Sequence, residues 1–197
     1  EQISTKMHYS FGVLYAGPGQ TSESQWYTNE KHSTDFEEFL DWLGNRVALK
    51  GWSHHSGGLQ TTGSGKDGNF MYYSWMNSIE ICFHVSTLIP FHPADPTRKR
   101  HIGNDRVIIV FKEDKDQKID VTTFKSRVQQ TFFIVHKEAN SHKKKTKYRI
   151  EIANKQPIPA YPPFLPDPPI LLKTEATRLF LLNKMINAER VAFTAVP

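Results

Sequence analysis

The chain has 197 residues, 38% hydrophobic and 23% charged, with a formal net charge of +5. That is enough for one ordinary domain with a real core, and so mild a positive balance admits an acidic protein partner, an anionic membrane surface or nucleic acid without selecting one. A single cysteine, Cys82, excludes an internal disulfide, and no apolar run approaches the roughly 18 residues that argue for a membrane span.

Cys82 lies in an apolar run and reads as a small core residue, which fits a reducing compartment and a cytoplasmic location. The N-terminus lacks a basic-then-apolar signal pattern. The first residue is Glu, consistent with a piece cut from a longer protein.

In chain order, residues 1–10 are polar and leave their place in the fold open. Phe11 to Tyr15 reads as a short strand running into the Ala16-Gly17-Pro18-Gly19-Gln20 turn. Residues 20–32 read as polar loop. Thr34 and Glu37 form a capping box, and Phe36, Phe39, Leu40 and Leu43 follow at helical spacing until Gly44-Asn45 stops the helix. Val47 to Trp52 is a candidate strand, and 53–69 a Gly, Ser and Thr-rich loop. The aromatic run Phe70 to Trp75 is a strand. Residues 78–89 suit a strand or a buried helix ended by Pro90, with alternation favouring the strand.

Residues 98–105 (RKRHIGND) then lead into the β-branched run from Arg106 to Phe111, which reads as a buried strand. The cations Arg98, Lys99 and Arg100 can pair with phosphate or carboxylate. Asn104 offers an amide donor and a carbonyl acceptor, so it can orient a water without titrating. Taken alone, the plainest reading of the stretch is a capped, solvated loop entering a strand.

Beyond it, 113–118 is a charged turn, 121–128 holds a short helix, and Thr131 to Val135 is a strand. His142 to Lys145 is a basic hairpin connection to the alternating strand Tyr148 to Ile152. Residues 157–169 hold seven of the twelve prolines and must be extended or irregular. Thr174 caps a last helix reaching about Phe193, with Leu179, Leu182, Met185, Ile186 and Phe193 facing inward. The pattern implies a single α/β domain with a central mixed β-sheet flanked by helices.

Several tempting chemistries fail on detail. Around Gly65-Lys66, a phosphate loop would need a glycine where Gln60 stands and a hydroxyl where Asp67 stands. His54, His55, His84, His92 and His101 match no zinc or HExxH spacing. Ser86 lacks the Gly-x-Ser-x-Gly turn. Lys143 to Lys145 lacks the interleaved aromatics of a nucleic-acid surface, so no nucleic-acid partner is expected.

The 98–105 stretch followed by an apolar strand resembles the signature of the Rap/Ran-type GTPase-activating domains, a family that includes the Rap GAPs, the Ral GAP catalytic subunits and tuberin. Phe11 to Gln20, Asp35 to Leu49, Gly57-Gly58-Leu59 and Glu80 to Pro90 are similar to other family segments, in order. The opening and the Gly-Gly-Leu segment look most like tuberin and the Ral GAP α subunits. The likeness spans roughly residues 11–135, and little after Val135 matches. It implies an α/β fold with the signature on a helix, against the loop reading above.

The resemblance also implies a function: stimulating GTP hydrolysis in a Ras-family GTPase of Rheb, Ral or Rap type through an asparagine thumb, here Asn104. His101 would support the thumb. Lys99 and Arg100, with Arg98, would dock the partner or hold the helix. Gly103 would permit close approach, and Asp105 would fix the local backbone. The domain would catalyse no reaction of its own and need no cofactor or metal, since GTP and magnesium belong to the partner. A rival is a non-catalytic module of the same fold that only binds a GTPase or scaffold. Homodimerisation, larger assemblies and peripheral membrane recruitment are left to regions outside this stretch.

Overall fold

The computed structural model of the protein describes residues 7–139 and 145–195. The chain forms β1 (His8–Ala16), α1 (Glu23–Thr28), α2 (Thr34–Leu43), β2 (Asn45–Ala48), β3 (Phe70–Met76) and β4 (Ile79–Val85). It continues through α3 (Thr97–Gly103), β5 (Val107–Lys112), β6 (Thr131–Lys137), β7 (Lys147–Asn154), β8 (Ile170–Leu172) and α4 (Glu175–Ala195). Among the described residues, eight strands join one sheet in the order β2-β3-β4-β1-β5-β6-β7-β8. β1 pairs parallel with β4 and β5, and β5 parallel with β6. The outer pairs are antiparallel. The mixed α/β sheet is therefore as expected.

Alternation along the central strands sorts their side chains onto two faces. Tyr9, Phe11, Val13 and Tyr15 join Val107, Ile109 and Phe111 in a core closed by α2 and α4. Leu14, Ile108 and Val110 face the other way, onto Trp26 and Tyr27 of α1 and Ile102 of α3. The first core is strongly aromatic: the Phe39 ring centre lies 5.4 Å from that of Phe111 and 5.1 Å from that of Tyr148. Such rings dominate core energetics through their large buried area.

Several sequence expectations shift. α1 replaces expected loop: Gln25 Oε1 accepts from the backbone N–H groups of Thr21 and Ser22, and Trp26 and Tyr27 anchor its buried side. The N-cap of α2 is Ser33, not Thr34, since the Ser33 hydroxyl accepts from Phe36 N at 3.0 Å. β2 covers 45–48 rather than 47–52, because the chain turns at Gly51, whose φ is +75°. Residues 79–85 are strand, followed by a 3-10 turn at Ser86–Leu88. Residues 97–103 are helix rather than loop. The three residues of β8 follow the proline-rich segment and were not anticipated.

Phe193 is 67% exposed instead of facing inward. The proline-rich connection crosses α4, where Lys184 Nζ donates to Tyr161 O at 2.6 Å and Asn187 Nδ2 to Pro162 O at 2.9 Å. Cys82 is buried, with its thiol 3.4 Å from the Met71 sulfur. Of the basic connection expected at 142–145, residues 142–144 lie outside the described residues. Among the described residues, no helix is long and apolar enough to cross a membrane.

α3 packs onto the sheet where β1 offers a glycine beneath it. A Cβ at Gly12 would lie 2.6 Å from Ile108 Cδ1 and 2.8 Å from Ile102 Cγ2. Gly12→Ala should therefore overpack this contact and destabilise the domain by about 1–3 kcal/mol. Urea denaturation measures this, and an unchanged midpoint would mean that α3 moves aside at no cost.

Candidate functional site

α3 begins at a local turn. Asp95 Oδ1 accepts from Thr97 N at 2.9 Å and Thr97 Oγ1 at 2.6 Å, and Pro96, which has no N–H to lose, precedes the first helical residue. Arg98 then turns inward and is 3% exposed. Its Nε and Nη2 donate to Ile89 O at 2.9 and 2.6 Å, while Nη1 donates to Tyr27 O and Asn29 O at 2.5 and 2.7 Å. Burial lowers its pKa to about 10, which leaves it charged at neutral pH. Arg98 is thus a tie between α3, the end of α1 and the segment after β4. The expectation that it pairs with phosphate or carboxylate is corrected, because its guanidinium is taken up by backbone carbonyls. Lys99 and Arg100 are exposed, and the Lys99 ammonium lies 5.6 Å from the Tyr27 ring centre.

Asn104 is the C-cap of α3 and is exposed. Its Nδ2 donates to Arg100 O at 2.8 Å, which fixes the side-chain amide against the last turn. At Gly103, an added Cβ would meet nothing within 4 Å, so interior packing does not demand the glycine.

Asp105 turns back into the protein and is 5% exposed. Its Oδ2 lies 2.7 Å from His84 Nδ1, and the other ring nitrogen of His84 lies 2.9 Å from Gly57 O. Both nitrogens face acceptors, the arrangement of an imidazolium donating on both sides. Burial opposes charge on His84, but the Asp105 carboxylate outweighs it and lifts the pKa well above the ordinary range. The His101 ring centre is 5.4 Å from that of His84. Burial first, and the His84 charge second, push the His101 pKa down, which favours the neutral ring. His101 Nε2 lies 3.3 Å from buried Asp67 Oδ1, an electrostatic contact off the hydrogen-bond line. Asp67 is itself held by Gln60 N, which donates to its Oδ2 at 2.8 Å.

Ser10, Gly57, His84, Arg100, His101, Asn104 and Asp105 line an open depression of about 380 Å³. The structure therefore brings together the expected His101, Asn104, Asp105 and Arg100, while Lys99 and Gly103 lie on the same helix outside the lining. It adds His84, Gly57 and Asp67, which sequence reasoning did not assign to the site. The Gly57-Gly58 pair was the available signal. Gly57 has φ +62°, and a Cβ there would lie 2.5 Å from His84 Nε2.

A family model described as Rap/ran-GAP matches residues 26–197, most of the chain. The chain belongs to the Rap/ran-GAP family. GTPase-activating Rap/Ran-GAP domain-like protein 3 of Gallus gallus is 36% identical over 194 residues, covering 96% of this chain and 21% of that protein. Signal-induced proliferation-associated 1-like protein 2 of Mus musculus is 37% identical over 195 residues, covering 98% of this chain and 11% of that protein. The chain thus spans about a fifth or less of the length of these Rap/ran-GAP relatives. A solved structure titled "Structure of the TSC2 GAP domain" superposes with a TM-score of 0.80 at 27% identity, covering 95% of this chain and 97% of that one. The resemblance read from residues 98–105 holds at the level of the family. Its expected end near Val135 is corrected, since the family match continues to residue 197.

The His84–Asp105 pair carries a pH signature. The folded-state pKa of His84 lies above its unfolded value, so its contribution is complete below about pH 6.5. That contribution is lost as pH rises through the folded-state value. His84→Gln, which removes the charge facing the buried Asp105 carboxylate, should cost about 3–5 kcal/mol at pH 6.5. Urea midpoints taken from pH 6.5 upward should fall more for wild type than for the variant; parallel curves would place the charge elsewhere.

Proposed function

We propose that this domain is a GTPase activator acting in trans on a GTP-bound Ras-family small GTPase of Rheb, Ral or Rap type. Asn104 enters the partner's nucleotide pocket and orients the attacking water. The observation that carries the reading is the state of Asn104: an exposed amide at the end of a helix tied into the core, with Nδ2 committed to Arg100 O at 2.8 Å. Membership of the Rap/ran-GAP family supports it.

With Nδ2 occupied, Oδ1 is the atom that receives a water O–H and directs the water's lone pair toward the γ-phosphate. Phosphoryl transfer asks little covalent chemistry of a protein, so positioning and electrostatics dominate. GTP and magnesium belong to the partner, and the domain supplies one neutral amide and no reaction of its own. Neutral His101 beside the last turn limits how far the thumb can swing. Lys99 and Arg100, exposed on the same helix, meet acidic groups of the partner. Arg98 and Asp105 act from within, by holding the helix.

The test is single-turnover GTP hydrolysis on a panel of Rheb, Ral and Rap GTPases. Wild type should accelerate at least one of them, and Asn104→Ala should lower that acceleration by at least about 100-fold with an unchanged melting temperature. Full stimulation by Asn104→Ala would falsify the thumb assignment. Silence of wild type across the panel, with retention of a GTP-loaded partner in a pull-down, would favour a binding-only module. On the responsive GTPase, His101→Ala should reduce the maximal rate less than Asn104→Ala does. Lys99→Glu should raise the half-saturating concentration; a pure loss of maximal rate would instead place Lys99 in the chemistry.

A further inference from the structure

The loop that follows α3 in space is held more firmly than a surface connection requires. Residues 124–130 run from a 3-10 turn at Val121–Thr123 to β6, past the C-terminal end of α3. Ser126 Oγ donates to Gly103 O at 2.6 Å, and Gln129 Nε2 to Ile102 O at 3.2 Å. Lys155 Nζ donates to Phe124 O at 2.5 Å and to Ser126 O at 2.6 Å, and Gln130 Nε2 to Arg127 O at 2.6 Å. The Phe124 ring is buried against Phe132 and Trp26, with ring centres at 4.5 and 5.6 Å.

The same loop leaves its recognition-bearing side chains outside. Lys125 and Arg127 are exposed, and among the described residues neither side chain has an ion pair or hydrogen bond. Val128 is 37% exposed. Close by, an open depression of about 840 Å³ lies between this loop and Ala195 at the end of α4. Two residues earlier, Phe193 is 67% exposed, with the Arg106 guanidinium 5.2 Å from its ring centre. Through the Ser126 bond to Gly103, next to Asn104, the loop abuts the end of the helix that carries the thumb.

Exposed apolar and aromatic side chains bordered by arginine and lysine are the composition of an interface centre and rim. Rigidity in the free state reduces the entropy lost on docking. We propose that the 124–130 loop and the C-terminal end of α4 form a second docking surface for the GTPase that receives Asn104, and that it recognises an acidic patch with an apolar centre. The proposal rests on the GTPase-activating reading and extends it. Lys99 and Arg100 supply one anchor, and Lys125, Arg127, Val128 and Phe193 supply another. Such a second anchor fixes the angle of approach, and its side chains set which GTPase is accepted.

The experiment uses the GTPase that wild type stimulates most in the panel. Single-turnover rates are measured against domain concentration for wild type, Lys125→Glu/Arg127→Glu, Phe193→Ser and Asn104→Ala. The double charge reversal should raise the half-saturating concentration about tenfold and flatten its dependence on salt. Phe193→Ser should raise it severalfold. In both, the maximal rate and melting temperature should match wild type, because the substituted side chains are exposed. Unchanged half-saturation, or a fall in maximal rate alone, overturns the second surface. So does loss of binding to a labelled RNA with GTPase titrations intact, which would assign these cations to nucleic acid. If wild type stimulates and Asn104→Ala does not, while the surface variants behave as wild type, the activator reading stands and this proposal alone fails. If wild type is inactive on every GTPase, both fall together.

Discussion

A helix of seven residues does not hold itself together in water, because nucleation costs more than its few internal hydrogen bonds return. α3 exists because the rest of the domain grips it at three levels. Arg98 ties its start to the carbonyls of Tyr27, Asn29 and Ile89. Ile102 enters the core over Gly12, where a side chain on β1 would not fit. Asp105 locks the exit to His84, which lies on β4. Everything proposed for Asn104 depends on these ties, since a loosely held amide could not specify where a water sits.

The ties also explain the distribution of charge. Arg98, His84 and Asp105 are all buried, and each has found partners that offset its desolvation. The exposed positions of the same short stretch, Lys99, Arg100 and Asn104, are left for an external surface. One run of eight residues thus alternates between structural and outward-facing roles, as the 3.6-residue period of a helix dictates. His101 is the intermediate case: partly buried, neutral, and pressed between the His84 cation and Asp67.

Much of the fold was legible because it rests on apolar runs. The strands around Phe11–Tyr15, Phe70–Trp75, Val107–Phe111 and Thr131–Val135 are fixed by composition, and α2 by the spacing of Phe36, Phe39, Leu40 and Leu43. α1 and α3 were harder, because each is short and shows one or two inward residues rather than a stripe. The Ser22-to-Gln25 spacing was a usable sign of α1 and sits in a stretch otherwise polar. Of the site, residues 98–105 were visible as a block, yet the inward turn of Arg98 was not, since a helical phase cannot be read from a basic triplet. Gly57, Asp67 and His84 come from a loop and a strand that only the sheet topology carries to α3. Phe193 was misassigned because the helical spacing of Leu182 and Ile186 extends to it, whereas the last buried residue of α4 is Ala192.

The strand order has a consequence for how such a domain is made. β1 is made before the other strands of this sheet, but its neighbours are β4, through Glu80–Val85, and β5, through Ile108–Lys112. During synthesis the strand therefore keeps one edge unpaired until β4 is complete at Val85, and the other until β5 is complete at Lys112. Pairings so distant in sequence are slow to form, and an unpaired apolar strand is prone to associate with other chains in the interval. The site on α3 cannot be assembled piecemeal, because its floor, Gly12, and its lock, His84, both lie on strands that this late closure brings together. A nascent chain released before β5 would present an aggregation-prone ribbon and no trace of the surface that carries Asn104.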